Sequence, residues 1–161
     1  MILSGQTIRR LNLLEPCVDA GTFAGTSHGL GPAGYDLRLV LPKEGCWEGT
    51  QGRITYLQPG EFLLAATQER FDMPNDLVGI VHDKSTWARR GLSVFNTIIE
   101  PGWRGWLTLE LVNHGKELLE LTEGQGIAQV VFHRTDEPVE QPYPADGKYQ
   151  DAGYGPQAAR S

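Results

Sequence analysis

Cysteine is nearly missing from this chain. Cys17 and Cys46 are the two thiols among 161 residues. They make neither a disulfide framework nor a zinc site, and no C-x-x-C pair occurs. The four histidines, His28, His82, His114 and His133, show no ligand spacing either, so a zinc-bound water is not expected. No hydrophobic run is long enough to cross a bilayer. The opening MILSGQTIRRLNLLEP lacks the basic, then apolar, then small order of a secretory signal. Basic residues are outnumbered 14 to 20, for a net charge of −6. That speaks against a general nucleic-acid-binding surface, which is ordinarily basic, but not against a small anion held in a locally basic pocket. These absences together predict a cytoplasmic protein with free thiols, without nucleic-acid or membrane partners.

The chain is rich in punctuation, with 20 glycines and 10 prolines. Its length suits one compact domain, and no internal repeat is visible. A short helix is expected over Gly5 to Leu14, capped by Ser4 and stopped by Pro16. Ala20 to Gly34 has no period and reads as a loop. Strands are expected at Tyr35–Leu41, Arg53–Leu57, Phe62–Gln68, Leu77–His82, Leu92–Asn96, Trp106–Asn113 and Ile127–Phe132. Lys43–Gln51 and Gln58-Pro59-Gly60-Glu61 read as turns. One helical turn follows at Ser85–Gly91, with Ser85 as its cap. From Pro138 to Ser161 the composition turns to Pro, Gly, Ala and polar residues without regular structure. Many short strands and few helices indicate an all-β sandwich or barrel.

The chemistry concentrates in VHDKSTWARRGLSVFNTIIEPGWRGWLTLE, from Val81 to Glu110. Lys84, Ser85, Thr86, Arg89 and Arg90 can all donate to an anion, and a helix amino terminus at Ser85 adds to them. Glu100 and Glu110 flank the turn Pro101-Gly102-Trp103-Arg104-Gly105. On a strand, alternate residues share a face, so Trp106, Thr108, Glu110 and Val112 point one way and Leu107, Leu109 and Leu111 the other. The leucine face reads as core. A carboxylate in mid-strand on the opposite face, with hydroxyls and arginines nearby, suits a water-activating site acting on an anionic substrate. Trp103 and Trp106 suit the walls of a flat pocket. Arg90 reads as a solvated or intersubunit charge.

Taken in order, these motifs resemble the dCTP deaminase branch of the dUTPase superfamily. The resemblance runs through Met1-Ile2-Leu3-Ser4, Ala33-Gly34-Tyr35-Asp36-Leu37, Pro59-Gly60-Glu61-Phe62-Leu63-Leu64 and Met73-Pro74. It continues through Asp83-Lys84-Ser85-Thr86-Trp87-Ala88-Arg89, Glu100-Pro101-Gly102-Trp103-Arg104-Gly105 with Leu107-Thr108-Leu109-Glu110, and Gly124-Gln125-Gly126-Ile127-Ala128-Gln129. It ends at Gly147-Lys148-Tyr149-Gln150 and Gly155-Pro156. The resemblance implies a dUTPase-like distorted β-barrel or jelly-roll over residues 1–137, with a tail, 138–161, that closes over the active site. It implies hydrolytic deamination of dCTP to dUTP and ammonia. Glu110 would move the water's proton, and Ser85 and Arg89 would hold the water. Substrate contacts would come from Lys84, Thr86, Asn96, Thr97, Glu100, Trp103, Gln129, Tyr143, Lys148 and Tyr149. Magnesium would arrive on the triphosphate and not in a protein cage, and the assembly would be a homotrimer with sites between subunits.

Two departures bear on the substrate. The segment Leu92 to Ile99 is shorter than is usual for deaminases and agrees in length with dUTPases, and Glu100 stands where an aspartate is usual. A dUTP diphosphatase, or an enzyme with both activities, is therefore the alternative. Against it, Glu110 stands where dUTPases carry an apolar residue, and their glycine-rich carboxyl-terminal motif is missing. In the tail, Asp151-Ala152 replaces a pair in which deaminases often carry another glutamine.

Overall fold

The computed structural model describes residues 1–95 and 98–161. The amino terminus forms helix α1 (Gly5–Leu11), followed by strands β1 (Leu14–Glu15), β2 (Gly21–Phe23), β3 (Thr26–Gly31), β4 (Gly34–Val40), β5 (Trp47–Gly49), β6 (Gly52–Leu57), β7 (Phe62–Asp72) and β8 (Leu77–Asp83). A single-turn helix α2 (Ser85–Ala88) then leads to β9 (Leu92–Val94), β10 (Ile98–Ile99), β11 (Arg104–Asn113), β12 (Leu119–Thr122) and β13 (Gly126–Arg134). The all-β architecture expected from the sequence is what the chain adopts.

The main sheet runs β10-β8-β13-β4-β7-β11-β9, and β12-β6-β5 form a second, three-stranded sheet. The main sheet curls round on itself. The Asp83 carboxylate at the end of β8 accepts the Val94 backbone N–H of β9 at 2.7 Å, which brings the far end of the path back to β8. The inside of the curl is packed with apolar side chains from alternate strand positions. Tyr35, Leu37 and Leu39 of β4, Leu109 and Leu111 of β11, and Ile127, Val130 and Phe132 of β13 are all fully buried. Phe71 lies at the centre, its ring 6.2 Å from that of Trp103 and 6.4 Å from that of Phe132.

One polar cluster is buried with this core. Glu69 is wholly inaccessible. It accepts the Arg38 backbone N–H at 3.0 Å, the Arg38 Nε–H at 2.7 Å and the Tyr35 hydroxyl at 3.2 Å. Burial, then the Glu69 charge, push the Tyr35 hydroxyl well above the ordinary phenol range.

Several local expectations need correction. The segment 20–34 is not a loop: β2 and β3 form a hairpin in which Phe23 faces Thr26. Its two-residue turn, Ala24-Gly25, holds both residues at positive φ, 42° and 80°, the geometry that suits the twist of a tight hairpin. Helix α1 ends at Leu11, not Leu14, because Asn12 turns into the left-handed region. Ser4 stands at its N-cap, but its hydroxyl meets the Thr7 hydroxyl and no backbone N–H. Lys84, not Ser85, occupies the cap position of α2, and its carbonyl accepts the Trp87 and Ala88 N–H groups, each at 2.9 Å. The Lys43–Gln51 turn contains the short strand β5, and β7 runs four residues past Gln68, because pairing with β11 and β1 continues to Asp72.

Candidate active site

Strands β7 and β11 pair antiparallel, with Glu110 opposite Leu64 and Val112 opposite Phe62. The register shifts between Trp106 and Thr108, because β7 places Thr67, Gln68 and Glu69 opposite the single residue Leu107 of β11. Leu109 and Leu111 are fully buried in the core and Leu107 packs partly against it, and Leu107 also lines a cavity shared with Trp106, Thr108 and Glu110. That cavity measures about 530 Å³, a volume that suits a small ligand. Its walls are mainly apolar and aromatic: Phe62, Leu64, Ile98, Ile99, Leu107, and the rings of Trp103, Trp106, Tyr143 and Tyr149. Glu100 and Glu110 are its two carboxylates. Glu110 is half-buried there, and desolvation lifts its pKa above the ordinary carboxylate value. A carboxyl group tuned upward in an apolar cavity is suited to take and return a proton near neutral pH.

Residues of the tail form the other side of the cavity. The Trp103 indole N–H donates to the Tyr149 carbonyl at 2.8 Å, and the Tyr143 N–H donates to the Pro101 carbonyl at 2.8 Å. Ala152 makes a parallel bridge to Gly105 and accepts the Trp106 N–H at 3.1 Å. Gly105 sits at φ 141°, and a Cβ there would fall 2.7 Å from the Ala152 nitrogen, so only glycine admits this approach. Arg104 bonds Asp151 through Nε at 3.2 Å and Nη2 at 3.0 Å. The same guanidinium holds the Asp151 carboxyl below its ordinary range. The Gln157 N–H reaches the Thr108 hydroxyl at 3.0 Å, and Gln157 and Ala159 line the cavity.

A second polar group lies elsewhere on the protomer. Lys84 is only 8% exposed. Its ammonium bonds the Ser27 hydroxyl at 2.8 Å and forms an ion pair with Asp36, whose other carboxylate oxygen accepts the Gln129 amide N–H at 3.0 Å. Helix α2 is anchored just beyond by Trp87, whose indole N–H donates to the Gly126 carbonyl at 2.9 Å. Ser85, Thr86 and Arg89 are left facing solvent.

The residues singled out from the sequence thus fall into two places. Glu100, Trp103, Glu110, Tyr143 and Tyr149 share the cavity, with Lys148 at its rim, its ammonium 5.8 Å from the Tyr149 ring. Lys84, Ser85, Thr86, Arg89 and Gln129 do not line it. Asn96 and Thr97 lie outside the described residues. Sequence reasoning missed Phe62 and Leu64, which enter the cavity only through the pairing of β7 with β11. It also missed Gln157 and Ala159, which a structureless tail gives no means of placing. Among the described residues, no three histidine, cysteine, aspartate or glutamate side chains are grouped to hold a metal, and no helix is long and apolar enough to cross a membrane.

A family model described as dCTP deaminase-like matches residues 45–135. The chain is 37% identical over 159 residues to the dCTP deaminase of Campylobacter lari, covering 86% of this chain and 85% of that one. This chain belongs to the dCTP deaminase family. A second relative, from Methanopyrus kandleri, bears the name dCTP deaminase, dUMP-forming. It is 35% identical over 144 residues, 74% of this chain and 75% of its own. Among solved structures, the 2′-deoxycytidine 5′-triphosphate deaminase of Agrobacterium tumefaciens superposes with a TM-score of 0.65 at 19% identity, covering 83% of this chain and 48% of that one. At that identity the likeness is one of fold. Within the deaminase family's all-β frame, the cavity around Glu110 is the feature with the chemistry of an active site.

Proposed function

We propose that this protein is a cytoplasmic dCTP deaminase acting as a cyclic homotrimer, with each active site shared by two copies. One observation carries the reading. Glu110 projects into an apolar cavity that raises its pKa, while the hydroxyls and guanidinium suited to holding a water stand exposed on α2, away from that cavity. In a ring, one copy presents Glu110 and its neighbour presents Ser85 and Arg89, by a heterologous contact that closes.

The reaction joins dCTP and water to give dUTP and ammonia. Glu110 takes a proton from the water as its oxygen bonds to C4 of the cytosine. The same carboxyl delivers that proton to N3, then takes the proton of the new C4 hydroxyl and passes it to the amino group; C4 becomes a carbonyl as the C4–N bond breaks, and ammonia leaves. Ser85 and Arg89 orient the water, and Arg89 stabilises the charge that develops. Trp103 and the tail residues Tyr143 and Tyr149 enclose the nucleotide, while Lys148 meets its phosphates. Lys84, Thr86 and Gln129 belong to the neighbour's contribution, with Lys84 held in place by Asp36. Magnesium would arrive with the triphosphate and offset part of its charge, without a dedicated protein cage.

The direct test is ammonia release from dCTP with magnesium. Glu110→Gln is expected to abolish it while leaving nucleotide binding in place. Unchanged release would remove Glu110 from its role. A second reading is favoured by the placement of Glu100 in the same cavity and by a relative whose name includes dUMP formation. In it the protein also cleaves dUTP, giving dUMP and pyrophosphate. Product chromatography after Glu100→Ala separates the two: loss of dUMP with dUTP still formed assigns Glu100 to the second step.

A further inference from the structure

We infer that Arg160 is a phosphate-binding residue that completes, with Lys148, a cationic clamp for the nucleotide's phosphate chain. The assignment deepens the proposed deaminase reading and rests on it. The cavity holds the two carboxylates Glu100 and Glu110 and no lysine or arginine among its described walls, so a chain of phosphates has no favourable place within it and must lie at the rim. Tyr149 is the wall residue that marks that rim. Its ring carries the Lys148 ammonium at 5.8 Å and the Arg160 guanidinium at 5.7 Å. The two cations are tied together, since Arg160 Nη1 donates to the Lys148 carbonyl at 2.7 Å. The Arg160 backbone N–H also reaches the Tyr149 hydroxyl at 3.3 Å, and its neighbour Ala159 is itself a cavity wall.

What separates Arg160 from the other rim arginines is its lack of an acidic partner. Arg104 and Arg70 both meet Asp151. Among the described residues no carboxylate lies within ion-pair distance of Arg160, although the chain is acidic overall. One guanidinium nitrogen is spent on the Lys148 carbonyl. The rest of its fork is open to an anion, and a phosphate accepts two parallel N–H groups from such a fork. Two like charges brought to one ring repel each other, and a bound polyanion relieves that repulsion.

The test uses inorganic tripolyphosphate and deoxycytidine, each as an inhibitor of dCTP deamination by the full chain. Tripolyphosphate carries the charge without the base, and deoxycytidine the base without the charge. Arg160→Gln is expected to weaken inhibition by tripolyphosphate about tenfold, the scale of one lost charge-assisted bond, and to leave that by deoxycytidine unchanged. Arg160→Lys is expected to recover part of the loss. Equal weakening of both inhibitors would make Arg160 a strut for the tail, and no change in either would make it a bystander. Both results overturn the assignment while leaving deamination intact. A parent chain that releases no ammonia from dCTP overturns the deaminase reading itself, and this assignment with it.

Discussion

If Glu110 serves one copy's cavity and Ser85 and Arg89 serve the neighbour's, two inactive variants should repair each other. The perturbation pairs Glu110→Gln with Arg89→Ala, co-expressed under two affinity tags so that mixed assemblies can be purified. Each variant alone carries the same lesion in every site and releases no ammonia. In a mixed ring, a site works when the copy giving Glu110 is the Arg89→Ala chain and the copy giving Arg89 is the Glu110→Gln chain. With equal, random mixing each condition holds half the time, so about one quarter of sites are intact, whatever the number of copies in a closed ring. Selecting mixed assemblies with both tags raises that share. The structure motivates the design directly, since Ser85, Thr86 and Arg89 face solvent and take no part in the Glu110 cavity of their own protomer. The assay is ammonia release at fixed total protein, against each parent and the unmutated chain. A mixed preparation as silent as its parents would refute the shared site. A site built within one chain predicts that silence, because every chain in the mixture is defective.

Three further outcomes follow from charge and burial. Glu110 has to be ionised to take a proton from water, and burial lifts its pKa. The acid limb of kcat/KM against pH is therefore expected above the ordinary carboxylate value of about 4.3, and a midpoint at or below it would contradict the desolvated setting. The linkage sign agrees: a carboxyl raised on folding adds stability below its unfolded pKa and loses it as pH rises, so Glu110→Gln should not lower Tm at neutral pH. Glu69→Gln removes a wholly buried charge that faces the largely buried Arg38. Breaking such a pair from one side costs about 3–5 kcal/mol, a fall in Tm on the order of 10 °C for a chain of this size. Thermal unfolding at one fixed protein concentration checks it, and a fall under about 2 °C would show the pair to be well solvated.

How much of this was legible before the coordinates depended on how local the signal was. The strand carrying Glu110 was readable because alternation is a two-residue property, and Leu109 and Leu111 obey it. The register shift beside Leu107 was not readable, because its extra residues lie in the partner strand β7 and leave no mark in β11. The β2–β3 hairpin was hidden by its composition: Thr26 to Gly31 mixes Thr, Ser, His and Gly, with Leu30 its one large aliphatic residue. The clue was Gly25, which completes a two-residue turn at positive φ. The pairing of Lys84 with Asp36 joins residues 48 apart in sequence, and no spacing rule reaches that far. The division of the site residues between two places is a property of three dimensions. The motifs single out the candidate residues, and the fold decides which of them one copy gathers.

On the side of β11 away from β7, β9 pairs no earlier than Leu111, and the Phe95 N–H reaches the Glu110 carbonyl at 2.9 Å. The tail occupies part of that side, at Gly105 and Trp106. Bare backbone along a strand recruits other chains, so the segment that lines the cavity is also a cover against self-association. Removing the last dozen residues would strip away Ala152, Gln157 and Ala159 from the cavity wall and bare this strand edge to other copies.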